Sequence, residues 1–141
     1  MSLIREADLW AGKTLFVPII VRICQGTGQN QYAVARWLWL SAGLWIVYHA
    51  EGWLDRILIA TVCLLLVLTT GLRAKLHHIN FIGYRVAWWA NLLVGLLSWV
   101  IGKREYFPIS ELFILFGEYA VSIINIPPLN KAVGRSKAFK A

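Results

Sequence analysis

The sequence predicts an all-α integral membrane protein: a four-transmembrane-helix antiparallel bundle, both termini cytoplasmic, with an amphipathic N-terminal helix at the membrane interface. Three observations predict it. The 141-residue chain is 59% hydrophobic and 15% charged, with a mean hydropathy of +0.62, whereas a soluble domain is nearer half apolar and a quarter charged. Four apolar runs, each close to the roughly 20 residues needed to cross a hydrocarbon core, follow one another through short linkers. The basic residues gather at the ends of those runs rather than along a polar face.

Residues 1–32 form the first segment. Leu3, Ile4, Ala7 and Trp10 recur at helical spacing with charges between them, the pattern of a helix lying in the interface plane. The apolar run that follows, up to Ile23, is too short to span. A re-entrant hairpin and a docking face for a cytosolic partner are the alternatives for this segment. Gly26-Thr27-Gly28-Gln29-Asn30 is a turn; it lacks the preceding strand and the Lys-Ser or Lys-Thr of a phosphate loop. The chain carries no ordinary signal-peptide pattern, since Pro18 and Arg22 interrupt the apolar run and no small-residue cleavage site follows.

Residues 33–129 hold the spans, at about 33–50, 54–72, 84–101 and 109–129, and residues 130–141 are a basic tail. Glu51-Gly52, Arg73-Ala74-Lys75 and Gly102-Lys103-Arg104 separate the spans. Linkers this short make neighbouring helices antiparallel. With the N-terminus inside, 11 of the 14 Lys and Arg residues are cytoplasmic and only Arg56, Lys103 and Arg104 are outside. The opposite topology reverses that ratio, against the positive-inside rule. Trp37, Trp39, Trp88 and Trp89 fall near the inner boundary and Trp53 and Trp99 near the outer one, where indole rings prefer to lie. Trp45 falls at mid-depth, as a packing residue. The compact chain and its lack of a sorting signal suggest a bacterial inner membrane.

Glu118 is the residue that most constrains function. It lies inside the fourth run, at bilayer depth, where an ionisable group costs roughly 2.5–3.5 kcal/mol on insertion scales. Glu111, Glu118, Ser122 and Asn125 share one face of a 3.6-residue helix. The third span carries a facing stripe of Asn91, Gly95, Ser98 and Gly102, and small residues at that spacing let two backbones approach closely. Asn91 and Glu118 fall at comparable depth, so the two spans are expected to pack along these stripes. Glu118 then either holds the helices together as a protonated carboxyl bonded to Asn91 or to a Thr of the second span, or titrates or binds a cation or cationic substrate.

The remaining polar groups are less specific. Thr61, Thr69 and Thr70 in the second span are expected to bond back to their own helix, and Asp55-Arg56 to pair at the surface. Arg73, Lys75 and Arg85, with Lys131, Arg135, Lys137 and Lys140 of the tail, form a belt for anionic lipid headgroups. Cys24 and Cys63 are too differently placed to bridge. His77 and His78 point to different sides of a helix, and His49 falls at the other membrane face, so no metal or haem site is expected. No cofactor is implied. The clustered charge does not suit nucleic acid.

No nucleophile elbow, zinc motif or Walker sequence is present. Three functional readings stay open. The first is a non-enzymatic, oligomeric or partner-bound component of a membrane complex. The second is a small ion- or proton-coupled transporter or channel using Glu118, with Asn91, Ser122 and Asn125 along the route. The third is a headgroup-level enzyme using the outer charged rim.

Overall fold

The computed structural model describes residues 2–76 and 82–122. Its elements are α1 (Ser2–Ala11), a π-helical turn (Gly12–Phe16), α2 (Val17–Thr27), α3 (Gln31–His49), α4 (Trp53–Lys75), α5 (Ile82–Val100) and α6 (Ile109–Ser122). No strand occurs among the described residues. Among the described residues one helix, α4, is long and apolar enough to cross a membrane. The 19-residue helices α3 and α5 also carry Trp, Tyr and Arg, which lower their hydropathy.

Helix ends follow local chemistry. Gly28 ends α2 at φ 68°, a left-handed conformation that costs glycine no Cβ clash. Asn30 caps α3, its Oδ1 accepting from the Ala33 amide at 2.8 Å, which satisfies one of the free first-turn donors. Asp55 in the first turn of α4 and Arg73 and Lys75 in its last turn complement the helix dipole. Beyond α5, Gly102 adopts φ 75°. Its amide donates to Trp99 O at 3.0 Å and that of Lys103 to Ser98 O at 2.9 Å; the two bonds together form a Schellman cap. Gly102 and the Ser98 carbonyl therefore end a helix rather than extend the expected packing stripe.

The central element is α6. Eight of its fourteen residues are buried, and it packs most extensively on α3, then on α5. Gly117 makes the α3–α6 approach possible: a Cβ there would lie 2.4 Å from Trp39 Nε1. The Trp39 indole instead donates to the Ile114 carbonyl at 3.3 Å. Trp39 is thus fully buried, packed between helices rather than presenting its indole to headgroups. Gly43 does the same for α3 and α4, where a Cβ would meet Cys63 Cβ at 2.9 Å. The packing order is α4, α3, α6, α5: α4 lies along α3, meets α6 over a short stretch and has at most marginal contact with α5. The four long helices form a row with α6 inside it, not a closed ring of sequence neighbours.

The N-terminal helix crosses this row, touching α5 through α1, and α3 and α6 through α2. Asp8, Gly12, Phe16, Ile20 and Cys24 are buried, a stripe of four-residue steps. In an α-helix each such step drifts by about 40° around the axis. The wider i→i+5 turn at Gly12–Phe16 rotates less per residue, which cancels part of the drift and keeps Phe16 on the inner face. There its ring meets Tyr119 at 4.2 Å, Phe116 at 4.6 Å and Trp89 at 5.8 Å. Leu3, Ile4 and Trp10, the residues that marked this segment as amphipathic, point outward and are exposed. The segment is packed into the helical body rather than lying apart from it.

Candidate functional site

The structure gathers its buried charges where the last turn of α4, the first turn of α5, the start of α3 and the end of α6 meet. Glu118 is fully buried, and Arg73 Nη1 lies 2.6 Å from its Oε1. The Arg73 guanidinium also sits over the rings of Trp39 at 5.7 Å and Tyr84 at 5.5 Å. Such stacking suits the planar, weakly hydrated guanidinium. The second carboxylate oxygen, Oε2, has no hydrogen-bond partner among the described residues.

A second ion pair lies beside the first. Arg85 Nε donates to both Asp8 oxygens at 3.0 Å, and its Nη2 to Oδ2 at 2.6 Å. The remaining nitrogen, Nη1, donates to Ser122 Oγ at 2.7 Å. Ser122 in turn donates to the carbonyl of Glu118. The Tyr119 hydroxyl donates to Asp8 Oδ1 at 2.8 Å and accepts from Trp89 Nε1 at 2.9 Å. Gln31 Nε2 donates to the Ala120 carbonyl at 2.9 Å. Two acids and two arginines thus neutralise one another in pairs, and their hydrogen bonds join α1, α4, α5 and α6, while Trp39 of α3 meets Arg73 through its ring.

This arrangement has a strong structural consequence. Removing one member of a buried pair leaves an uncompensated charge, at a cost of about 3–5 kcal/mol. Arg85 with its fork on Asp8 is the better-satisfied pair, because the planar guanidinium matches a carboxylate. Among the described residues no three His, Cys, Asp or Glu side chains are grouped to hold a metal ion.

The expected site residues divide among four places. Glu118 and Ser122 belong to the network. Glu111 lies at the far end of α6, where Arg104 Nη1 and Ser110 Oγ each donate to it at 2.6 Å. Asn91 is exposed on an outward surface of α5 lined by Ala87, Trp88, Ala90 and Val94. It therefore does not partner Glu118. The buried face of α5 carries Arg85, Leu92 and Gly95, and Asn91 lies about 100° round the helix from Leu92. Asn125, Lys131, Arg135, Lys137 and Lys140, with His77 and His78, lie outside the described residues.

Gly95 does mark close packing, but against the α5–α6 linker: a Cβ would meet Arg104 Nη1 at 2.9 Å and Pro108 Cβ at 3.0 Å. Arg73 and Arg85, expected on the surface as lipid contacts, are buried in the two ion pairs. Only Lys75 of that described trio is exposed. Arg56 donates from Nε to the Ala50 carbonyl at 3.0 Å instead of pairing with Asp55. Trp45 is partly exposed near the end of α3 rather than packed at mid-depth. The threonines of α4 bond back to its carbonyls, Thr61 to Ile57 at 2.8 Å, Thr69 to Leu65 at 2.7 Å and Thr70 to Val67 at 2.7 Å.

The sequence reading missed Asp8, Gln31, Tyr119 and Trp89. For Asp8 a signal was present, since it heads the four-residue stripe that continues through Phe16, Ile20 and Cys24. Comparison with protein-family models, curated proteins and solved structures returns no match.

Proposed function

We propose that the chain is a four-span membrane protein acting as a non-enzymatic component of a membrane complex, as an oligomer or bound to a partner. In this reading α3, α4, α5 and the run beginning with α6 cross the bilayer, with both termini cytoplasmic. The distribution of side chains supports a lipid setting. Leu54, Leu58, Leu64, Leu65, Leu68 and Leu72 of α4 are exposed, as are Leu93, Val94, Leu97 and Val100 of α5, while Asp8, Arg73, Arg85 and Glu118 are buried. A soluble monomer rarely exposes so continuous an apolar surface, and polar groups in a membrane turn inward and pair.

The observation that carries the structural role is the buried Arg73–Glu118 pair at 2.6 Å. A carboxylate already held by a guanidinium serves to tie α4 to α6. The test is extraction and mass. The protein should resist alkaline carbonate extraction and emerge in mild detergent as a defined oligomer or with a stoichiometric partner. A carbonate-soluble, monomeric chain would remove this reading.

The unpartnered Oε2 of Glu118 favours a second reading, in which Glu118 couples the movement of a proton or cation. Proteoliposomes separate the two. A coupling role requires pH-gradient-dependent flux that disappears in Glu118→Gln while the protein stays folded. A tying role gives no flux in the parent protein and a less stable Glu118→Gln.

A further inference from the structure

At the end of the row opposite the ion pairs, a cleft of about 600 Å³ opens between the C-terminal turn of α3, the start of α4 and the α5–α6 linker. One wall is aromatic. His49 packs in tilted contact with Trp45 at 4.4 Å and with Tyr106 of the linker at 4.2 Å, centroid to centroid. His49 Nδ1 donates to the Trp45 carbonyl at 2.8 Å, which fixes the imidazole between the two larger rings. The wall is therefore assembled by two separate segments and held by a hydrogen bond.

The rest of the lining is charged. Glu51, Asp55 and Glu105 reach the cleft with Lys103 and Arg104. Arg104 is taken by Glu111 at 2.6 Å, whereas the three acids and Lys103 form no ion pair among the described residues. Three free carboxylates against one free ammonium leave the cleft with an excess of negative charge. Among the described residues these acids do not converge with one another or with His49 as metal ligands do. They surround an aromatic wall instead.

We propose that this cleft binds an organic cation, a primary or quaternary amine, with its charge against Trp45 and Tyr106 and its field supplied by Glu51, Asp55 and Glu105. Electron-rich ring faces attract a diffuse cation, and carboxylates at the rim select it over an anion. The volume fits a small-molecule amine or a choline or ethanolamine headgroup. This site is independent of the Arg73–Glu118 network and of the role given to it above.

The test is calorimetric titration of the full chain in dodecyl maltoside with tetramethylammonium chloride, with sodium and magnesium chloride as comparisons. Saturable binding of tetramethylammonium is expected. Tyr106→Leu and Asp55→Asn, both at exposed positions, should each weaken it by about fivefold, and the distant Lys75→Gln should leave it unchanged. Circular dichroism and size exclusion confirm that the variants are folded. Nanodiscs then distinguish the source. Competition by phosphatidylcholine but not phosphatidylglycerol identifies a lipid headgroup, and equal affinity in both identifies a free amine; either outcome supports the site. Absence of saturable heat, equal binding of magnesium, or binding indifferent to both cleft variants overturns it.

Discussion

Arg73 Nη1 lies 2.6 Å from Glu118 Oε1, and this contact joins the last turn of α4 to the buried face of α6. Elsewhere α4 rests almost wholly on α3, with only Cys63, Thr70 and Arg73 buried along its 23 residues. The pair is thus the principal polar tie between an otherwise peripheral helix and the centre of the fold. It also changes what an isosteric substitution does. A protonated Glu118 facing Asn91 would accept a glutamine quietly, but a Glu118 facing Arg73 leaves a buried guanidinium without its counter-charge.

The Asp8–Arg85 pair fastens the N-terminal helix in the same way. Asp8→Asn should destabilise the protein by about 3 kcal/mol or more, because Arg85 is then buried without its counter-charge. The first element to open should be residues 2–27, whose remaining inward contacts are mostly Phe16, Ile20 and Cys24. Limited trypsin digestion reads this directly, since Lys13 and Arg22 are exposed on that helix. Cleavage there should accelerate in Asp8→Asn ahead of cleavage at Lys75.

Gly117→Ala places a methyl group 2.4 Å from Trp39 Nε1. The Trp39 indole must move, and overpacking of this kind costs typically about 1–3 kcal/mol. Adding Trp39→Phe removes the pyrrole atoms that clash and should recover part of the loss. Thermal unfolding in detergent followed by circular dichroism measures both. If Gly117→Ala alone is as stable as the parent protein, the α3–α6 approach described above is wrong.

Cys24 and Cys63 are free and buried. Burial also pushes the Cys24 thiol above its ordinary pKa, so less thiolate is present at any given pH. Both thiols should label slowly with maleimide in the native protein and fully in denaturant. Mass spectrometry over a labelling time course gives the rates, and rapid native labelling of Cys24 would contradict its position on the buried face of α2.

Gly102 holds φ 75° at the end of α5. Gly102→Ala should cost about 1 kcal/mol through the left-handed backbone. Gly71, within α4 and with open space around it, supplies the contrast, since Gly71→Ala should be neutral or stabilising by up to about 1 kcal/mol. Parallel denaturation curves of the two variants test the pair of signs.

Helix positions were legible in the sequence to within a few residues. The spans expected at 33–50, 54–72 and 84–101 correspond to Gln31–His49, Trp53–Lys75 and Ile82–Val100, because apolar runs bounded by Asn30, Gly52 and Gly102 carry their own start and stop signals. The partners of the buried charges were not legible. Arg73 stands at the end of an apolar run, and run ends usually face water or headgroups. Its pairing with Glu118 depends on α4 meeting α6 at that end, a tertiary relationship with no local trace. Asn91 was misplaced for a related reason. Its spacing to Gly95 suggested a shared face, but Arg85 and Leu92 set the buried direction of α5, and Asn91 falls beyond its edge. Trp39 shows how a residue type misleads, since an indole near a run end suggested an interface while Gly117 had prepared a pocket for it.

The central claim is that the Arg73–Glu118 contact ties α4 to α6, and a double-mutant cycle measures it most directly. Thermal or denaturant unfolding in dodecyl maltoside would compare Arg73→Met, Glu118→Gln and the double variant with the parent protein. Each single variant should lose about 3–5 kcal/mol, and the double should recover most of it because no unpaired charge is left buried. Additive losses in the double variant, or a Glu118→Gln protein as stable as its parent, would contradict the account.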